Sequence, residues 1–394
     1  MSNVLINRSS DLRKLRDAGY EVEVRGGFLF VGGVPYVNSQ GQVKIGILVS
    51  ELTLAGDVTT TPGNHVIHFI GDHPCDINGA EVTAIKHCTG DQQLLDGVVV
   101  NHSFSNKPDG GYRDYYEKVT TYIDTISAPA ETIDSTVTAR TFKVIECQDG
   151  ESVFRYLDTN SSRAEIDPIS DKLKHAKIGI VGVGGTGSYV LDMVAKTPVA
   201  EIHLFDRDDF LQHNAFRAPG AASIEDLRKK PKKVDYLKQI YSKLHTKIFS
   251  HRVFLDSTNT DLLKELTFVF ICMDRGVAKK AIVEKLEELK IPFIDVGIGV
   301  EVVDDQLSAS IRVTTSTPTK RDHVGRNRLI SFVDDDEKGD YDRNIQIAEL
   351  NALNAALAVI KWKKLSGFYV DLTLEHDTIY SLDDNVLISE DHET

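Results

Sequence analysis

The segment KIGIVGVGGTGSYVLDMV, which begins at Lys177, sets Gly182, Gly184 and Gly187 in G-x-G-x-x-G spacing between an apolar run and a helical pattern. That arrangement restricts the fold severely. A strand must end, the backbone must turn through conformations open to glycine, and a helix must begin with its first N–H groups facing outward, the geometry that cradles phosphate. The alternation continues downstream: AEIHLFD as strand, KVDYLKQIYSKLH as helix, LTFVFICMD as strand, AKKAIVEKLEELK as helix and IPFIDVGIG as strand. This predicts an α/β fold, a doubly wound, mostly parallel Rossmann-like sheet with ligands at the carboxyl ends of its strands. NIQIAELNALNAALAVIKWKKL has apolar residues at three- and four-residue steps and reads as a packing helix, and the DDDEKGD run before it as a solvated loop.

A chain of 394 residues exceeds what one hydrophobic core usually supports, so two domains are expected. The polar stretch QDGESVFRYLDTNSSR, residues 148–163, marks the boundary between an N-terminal α+β domain, 1–150, and the α/β domain, 151–394. In the first, Ser9 is positioned to cap a short helix ended by Gly19, YEVEVRGGFLFVGGVPYV alternates like strands joined by glycine turns, and a helix is expected over Tyr112–Ile126. The net charge of -14 argues against nucleic acid as a partner. No apolar leader region and no run of eighteen apolar residues is present, so a cytoplasmic protein without a membrane span is expected. Cys75, Cys88, Cys147 and Cys272 form no C-x-x-C pair, which removes the zinc-ribbon reading, and Cys272 is expected to pack in a core.

Asp206 ends the strand after the glycine loop, about nineteen residues past Gly187, where a carboxylate can accept hydrogen bonds from ribose hydroxyls. NAD, FAD and ATP all fit to this point. Asp208, Asn214 and Arg217 follow, and Lys232 and Lys233 enter the next helix. Hydride transfer has no use for cations clustered at the far end of the phosphates, whereas attack on an α-phosphate does, because charge develops on those oxygens. Asp274, at the end of FVFICMD, has the position and chemistry to hold Mg²⁺ alongside phosphate oxygens.

The order of these elements over roughly residues 155–315 resembles the ThiF-type adenylyltransferases, the superfamily of the ubiquitin-activating enzymes. The resemblance implies that Gly182 and Gly184 line a phosphate loop, that Asp206 binds ribose, and that Asn214, Arg217 and Lys233 contact ATP phosphates, with Lys232 as the alternative for Lys233. It further implies Mg²⁺ on Asp274, and Arg163, in SSRAEI, acting in trans across a homodimer. The activity implied is adenylation of the C-terminal carboxylate of a small ubiquitin-like protein. From Gly299 onward the chain has no cysteine, and VTTSTPTKRDHVGRNR supplies only hydroxyls, so adenylation without a thioester step in this domain is the expectation. The competing classes are an NAD- or FAD-dependent oxidoreductase and a noncatalytic nucleotide-binding scaffold.

In the N-terminal domain, the HPC and NG turns of TPGNHVIHFIGDHPCDINGAEV resemble those of ubiquitin-conjugating enzymes over about residues 8–90. Thr83 stands near the position of the conjugating cysteine, leaving Cys88 or Cys75 as substitutes, or a domain that binds without chemistry. His65, His68, His73, Cys75, His87 and Cys88 cluster in sequence, but HVIHF reads as strand, where residues three apart face opposite sides, so no metal site is expected. NHSFSNKPDGGYRDYY has the composition of a peptide-docking loop.

Overall fold

The computed structural model describes residues 2–147, 150–274, 276–326, 329–332 and 345–389, the side chains of 2, 3, 325 and 326 excepted. The DDDEKGD run lies outside them. The chain forms two compact units, one of Met1–Ile145 with Asp158–Glu165 and one of Glu146–Leu157 with Ile166–Thr394.

The first unit opens with helices α1 (Ser2–Arg8) and α2 (Ser10–Asp17). Its strands are β1 (Glu21–Arg25), β2 (Phe28–Val37), β3 (Val43–Glu51), the two-residue pair β4 (Leu54–Ala55) and β5 (Val58–Thr59), then β6 (Val66–Ile70), β7 (Lys86–Leu95) and β8 (Val98–Ser105). Helices α3 (Tyr115–Ile133) and α4 (Thr159–Arg163) complete it. The six longer strands form an antiparallel sheet in the order β1-β2-β3-β6-β8-β7. Leu12, Leu15, Leu48, Phe69 and Phe104 pack with Tyr115, Val119, Tyr122 and Ile126 of α3 in one core.

Three local expectations shift here for identifiable reasons. The helix expected over Tyr112–Ile126 begins at Tyr115, because the Asp114 side chain caps it by accepting from Glu117 N–H, and runs to Ile133. Gly26 and Gly27 make the β1–β2 turn, but Gly32 and Gly33 lie inside β2, where the pairing shifts at a bulge between Val31 and Val34. Ser9 precedes α2 without capping it, its hydroxyl accepting instead from Thr59 N–H.

The second unit carries α5 (Asp167–Ser170), β9 (Lys177–Val181), α6 (Gly185–Val194), β10 (Glu201–Phe205), α7 (Gln212–Ala215), α8 (Ile224–Lys229), α9 (Lys233–Tyr241), β11 (Ile248–His251) and β12 (Phe268–Ile271). After these come α10 (Gly276–Glu288), β13 (Phe293–Val303), β14 (Gln306–Ser316), α11 (Asp322–Arg326), α12 (Ala348–Leu365), β15 (Asp377–Ser381) and β16 (Val386–Ser389). The sheet order is β11-β10-β9-β12-β13-β14-β15-β16. Strands β9 to β13 run parallel and the last three antiparallel.

Ile178, Ile180, Ile202, Leu204, Phe268 and Phe270 pack against α6, α9 and α12. Phe205, Val269, Ile271 and Phe293 cover the opposite face with Ile282, Val283 and Leu286 of α10. This is the α/β doubly wound sheet expected; the N-terminal unit is separate and its sheet antiparallel. The chain passes outward from β9 to β10 and β11, then returns to β12 on the other side of β9. That reversal opens a crevice at the carboxyl ends of β9 and β12. Among the described residues no helix is long and apolar enough to cross a membrane.

Candidate nucleotide site

The glycine loop lies at that switch point, and its glycines serve different purposes. Gly182 has φ +82°, and a Cβ there would stand 2.6 Å from Cys272 O. A Cβ on Gly187 would stand 1.9 Å from Gly182 O, so that glycine permits the turn to close on itself. Gly184 has nothing within 4 Å of its Cβ position. It therefore keeps open the approach to the first turn of α6, whose N–H groups have no intrahelical acceptors.

Asp206 follows β10 and braces the loop. Its carboxylate accepts from Val183 N–H at 3.0 Å and from Asp208 N–H at 2.9 Å. Lys233, the first residue of α9, brings its ammonium to 2.9 Å from Asp208 and 4.0 Å from Asp206, with the side chain 10% exposed. Lys232 turns instead to Asp209, at 2.8 Å. The sequence left the two lysines as alternatives; the geometry brings Lys233 to the loop carboxylates.

Asn214, on α7, is buried, its Oδ1 accepting from Leu211 N–H while its Nδ2 has no hydrogen-bond partner among the described residues. Arg217 N–H closes the turn onto Asn214 O. His213 adjoins Asn214 on α7. Its pKa falls below the ordinary histidine value through burial first and then the charges of Arg217 and Lys233.

Asp274 is exposed beyond the end of β12, and its charge reaches the Cys272 thiol, whose pKa is pushed up chiefly by burial and next by Asp295. Cys272, expected in the core, is partly buried at the core's edge with its Cβ against the Gly187 position. Arg163 is the exposed last residue of α4, a helix that belongs to the first unit. Arg16 donates to Ser162 Oγ at 2.9 Å, and Ser162 donates to Asp17, so the turn carrying Arg163 is fastened to α2.

In the first unit, Cys75 is buried and Cys88 exposed on β7. The HVIHF stretch is the strand β6, with His65 just before it. His87 Nδ1 lies 3.0 Å from Ser103 Oγ and His102 Nδ1 lies 3.1 Å from Thr89 Oγ1. Among the described residues no three His, Cys, Asp or Glu side chains gather as a metal ion would need.

A glycine loop at a switch point, braced by a carboxylate and faced by a lysine, defines a nucleotide-binding α/β domain. Residues 160–336 match the ThiF family, and the chain carries a ThiF family domain there. Residues 10–159 match a domain of unknown function, DUF6791. No curated protein sequence matches the chain. Among solved structures, it is similar to PaaA at 20% identity, over 59% of this chain and 80% of that one, with a TM-score of 0.45. It is also similar to Escherichia coli MccB with succinimide, at 20% identity over 59% of this chain and 69% of that one, TM-score 0.46. The MccB structure with ATP matches at 20% identity over 57% of this chain and 65% of that one, TM-score 0.44.

Proposed function

We propose that the second unit adenylates a carboxylate with ATP. The observation that carries this reading is Lys233, held by Asp208 and Asp206, the second of which also braces the glycine loop at Val183 N–H. In this reading Asp206 and Asp208 hold ribose and order the loop, Gly182 and Gly184 admit the phosphates, and Asn214 turns its idle Nδ2 to a phosphate oxygen. A substrate carboxylate, ionised at neutral pH, needs no side-chain base. Its oxygen forms the new bond to the α-phosphorus while the bond to the pyrophosphate oxygen breaks, and Arg217 and Lys233 stabilise the charge gathering on those oxygens. The acyl-adenylate and pyrophosphate are the products.

Asp274 is one exposed carboxylate at the crevice edge, and with phosphate oxygens it makes the oxygen-only donor set Mg²⁺ takes. Bound there, Mg²⁺ would offset charge on the pyrophosphate. The substrate we assign is the C-terminal carboxylate of a small ubiquitin-like protein, in a cytoplasmic homodimer in which Arg163 serves the partner's nucleotide. That assignment draws on the ThiF family match and the order of motifs. The first unit would recruit or receive what the acyl group passes to.

Calorimetric titration of MgATP and, separately, NAD into wild type, Arg217→Ala and Asp274→Ala tests the core of this. MgATP should bind, NAD should not, and each substitution should weaken MgATP at least tenfold. Binding of NAD without MgATP would overturn the reading.

A further inference from the structure

Two amides on α12 stand where its packing face otherwise carries Ala355, Ala358, Val359 and Trp362. Asn351 is 1% exposed and Asn354 0%. Asn351 Oδ1 accepts from the Thr186 hydroxyl at 2.9 Å, and Asn354 Nδ2 donates to Gly297 O at 3.0 Å. Each amide is thereby half used, since Asn351 Nδ2 and Asn354 Oδ1 have no hydrogen-bond partner among the described residues. Buried polar groups are seldom left this way, because the lost hydration goes unrecovered.

The location of Asn351 gives the idle donor a meaning. A Cβ on Gly185, the first residue of α6, would lie 2.4 Å from its Nδ2 and 2.4 Å from its Oδ1. Helical Cβ atoms tilt toward the helix N-terminus, so the Asn351 amide stands level with the unbonded N–H groups of the first turn of α6. Gly185 is glycine because Asn351 fills its Cβ position, while Gly184 beside it stays open. Two separate features, a ten-residue helix presenting its N-terminus and a buried donor with no acceptor, therefore meet at one place. Both call for an anionic oxygen.

We propose that Asn351 is a further nucleotide-binding residue, its Nδ2 donating to a phosphate oxygen held at the N-terminus of α6. This rests on the ATP reading above. The Thr186 hydroxyl fixes the Oδ1 side of the amide, which leaves the donor to be presented.

The test is titration of MgATP, AMP and adenosine into the full chain, as wild type, Asn351→Asp and Asn351→Ala, with thermal unfolding of each. Aspartate keeps an acceptor for Thr186, removes the donor and adds a negative charge. MgATP and AMP should then weaken at least tenfold while adenosine stays within twofold, and alanine should give a three- to tenfold loss with the same selectivity. If aspartate unfolds the chain, the alanine variant carries the comparison. Equal loss for all three ligands, or no loss, would overturn the proposal in favour of a packing role. Wild type that binds no ATP would overturn the ATP reading with it, whereas wild type and variants that bind MgATP alike would overturn this inference alone.

Discussion

Gly184 and Gly187 belong to one motif, yet replacing them should fail in opposite ways. Alanine at position 187 would drive a methyl to 1.9 Å from Gly182 O, a backbone atom in a turn also pressed against Cys272. Relief takes more than 1 Å of main-chain movement in a packed loop. Overpacking of that kind costs on the order of 3 kcal/mol, a large part of the roughly 5–15 kcal/mol that holds a domain folded. In a unit of this size it should lower Tm by about 8 °C. At position 184 the methyl meets nothing within 4 Å, so alanine there creates no overpacking. The methyl would stand where a phosphate has to approach the first turn of α6. Loss of one or two hydrogen bonds to a charged oxygen, about 1.5–3 kcal/mol each, would weaken MgATP roughly tenfold or more. Urea unfolding and calorimetric titration of Gly184→Ala and Gly187→Ala separate the two effects. A Gly184→Ala protein that is as stable as wild type and binds MgATP equally well would refute the assignment of that opening to the phosphates.

Two further outcomes check other parts of the molecule. His245 is fully buried with Nε2 3.0 Å from Val199 O and Nδ1 accepting from Lys247 N–H, and burial pulls its pKa from 6.5 to about 4. The unfolded chain takes up this proton first, so the stability tied to neutral His245 is complete above pH 6.5 and is lost as pH falls toward 4, by about 3 kcal/mol. Urea unfolding at stepped pH should show a shallower dependence for His245→Gln than for wild type, and superimposable slopes would contradict it. Iodoacetamide applied to the native chain should modify exposed Cys88 first, while Cys75, buried and with its pKa raised chiefly by burial, should react only on unfolding. Mass spectrometry that finds Cys75 modified as fast as Cys88 would remove that distinction.

The parallel half of the second unit was legible because its signals are local. Each strand is a short apolar run, each helix has its own period, and the glycine loop joins one to the other. The antiparallel strands β14, β15 and β16 were not, since their partners are set by pairing across the sheet edge and nothing in VTTSTPTK announces it. The same contrast runs through the site. Asp206 and Lys233 could be found from motif order, but the choice of Lys233 over Lys232 depended on α9 starting at Lys233, with Lys232 as its cap. Arg163 shows the reverse case. Its motif falls within the ThiF match, which begins at residue 160, yet α4 packs with α2 in the first unit through Arg16 and Asp17. Those contacts span more than a hundred residues of sequence and leave no periodic trace. Asn351 and Asn354 did leave a signal, two amides interrupting an apolar helix face at a three-residue step. Read as amphipathic pattern they are noise; read as buried groups that must be satisfied, they ask what ligand completes them.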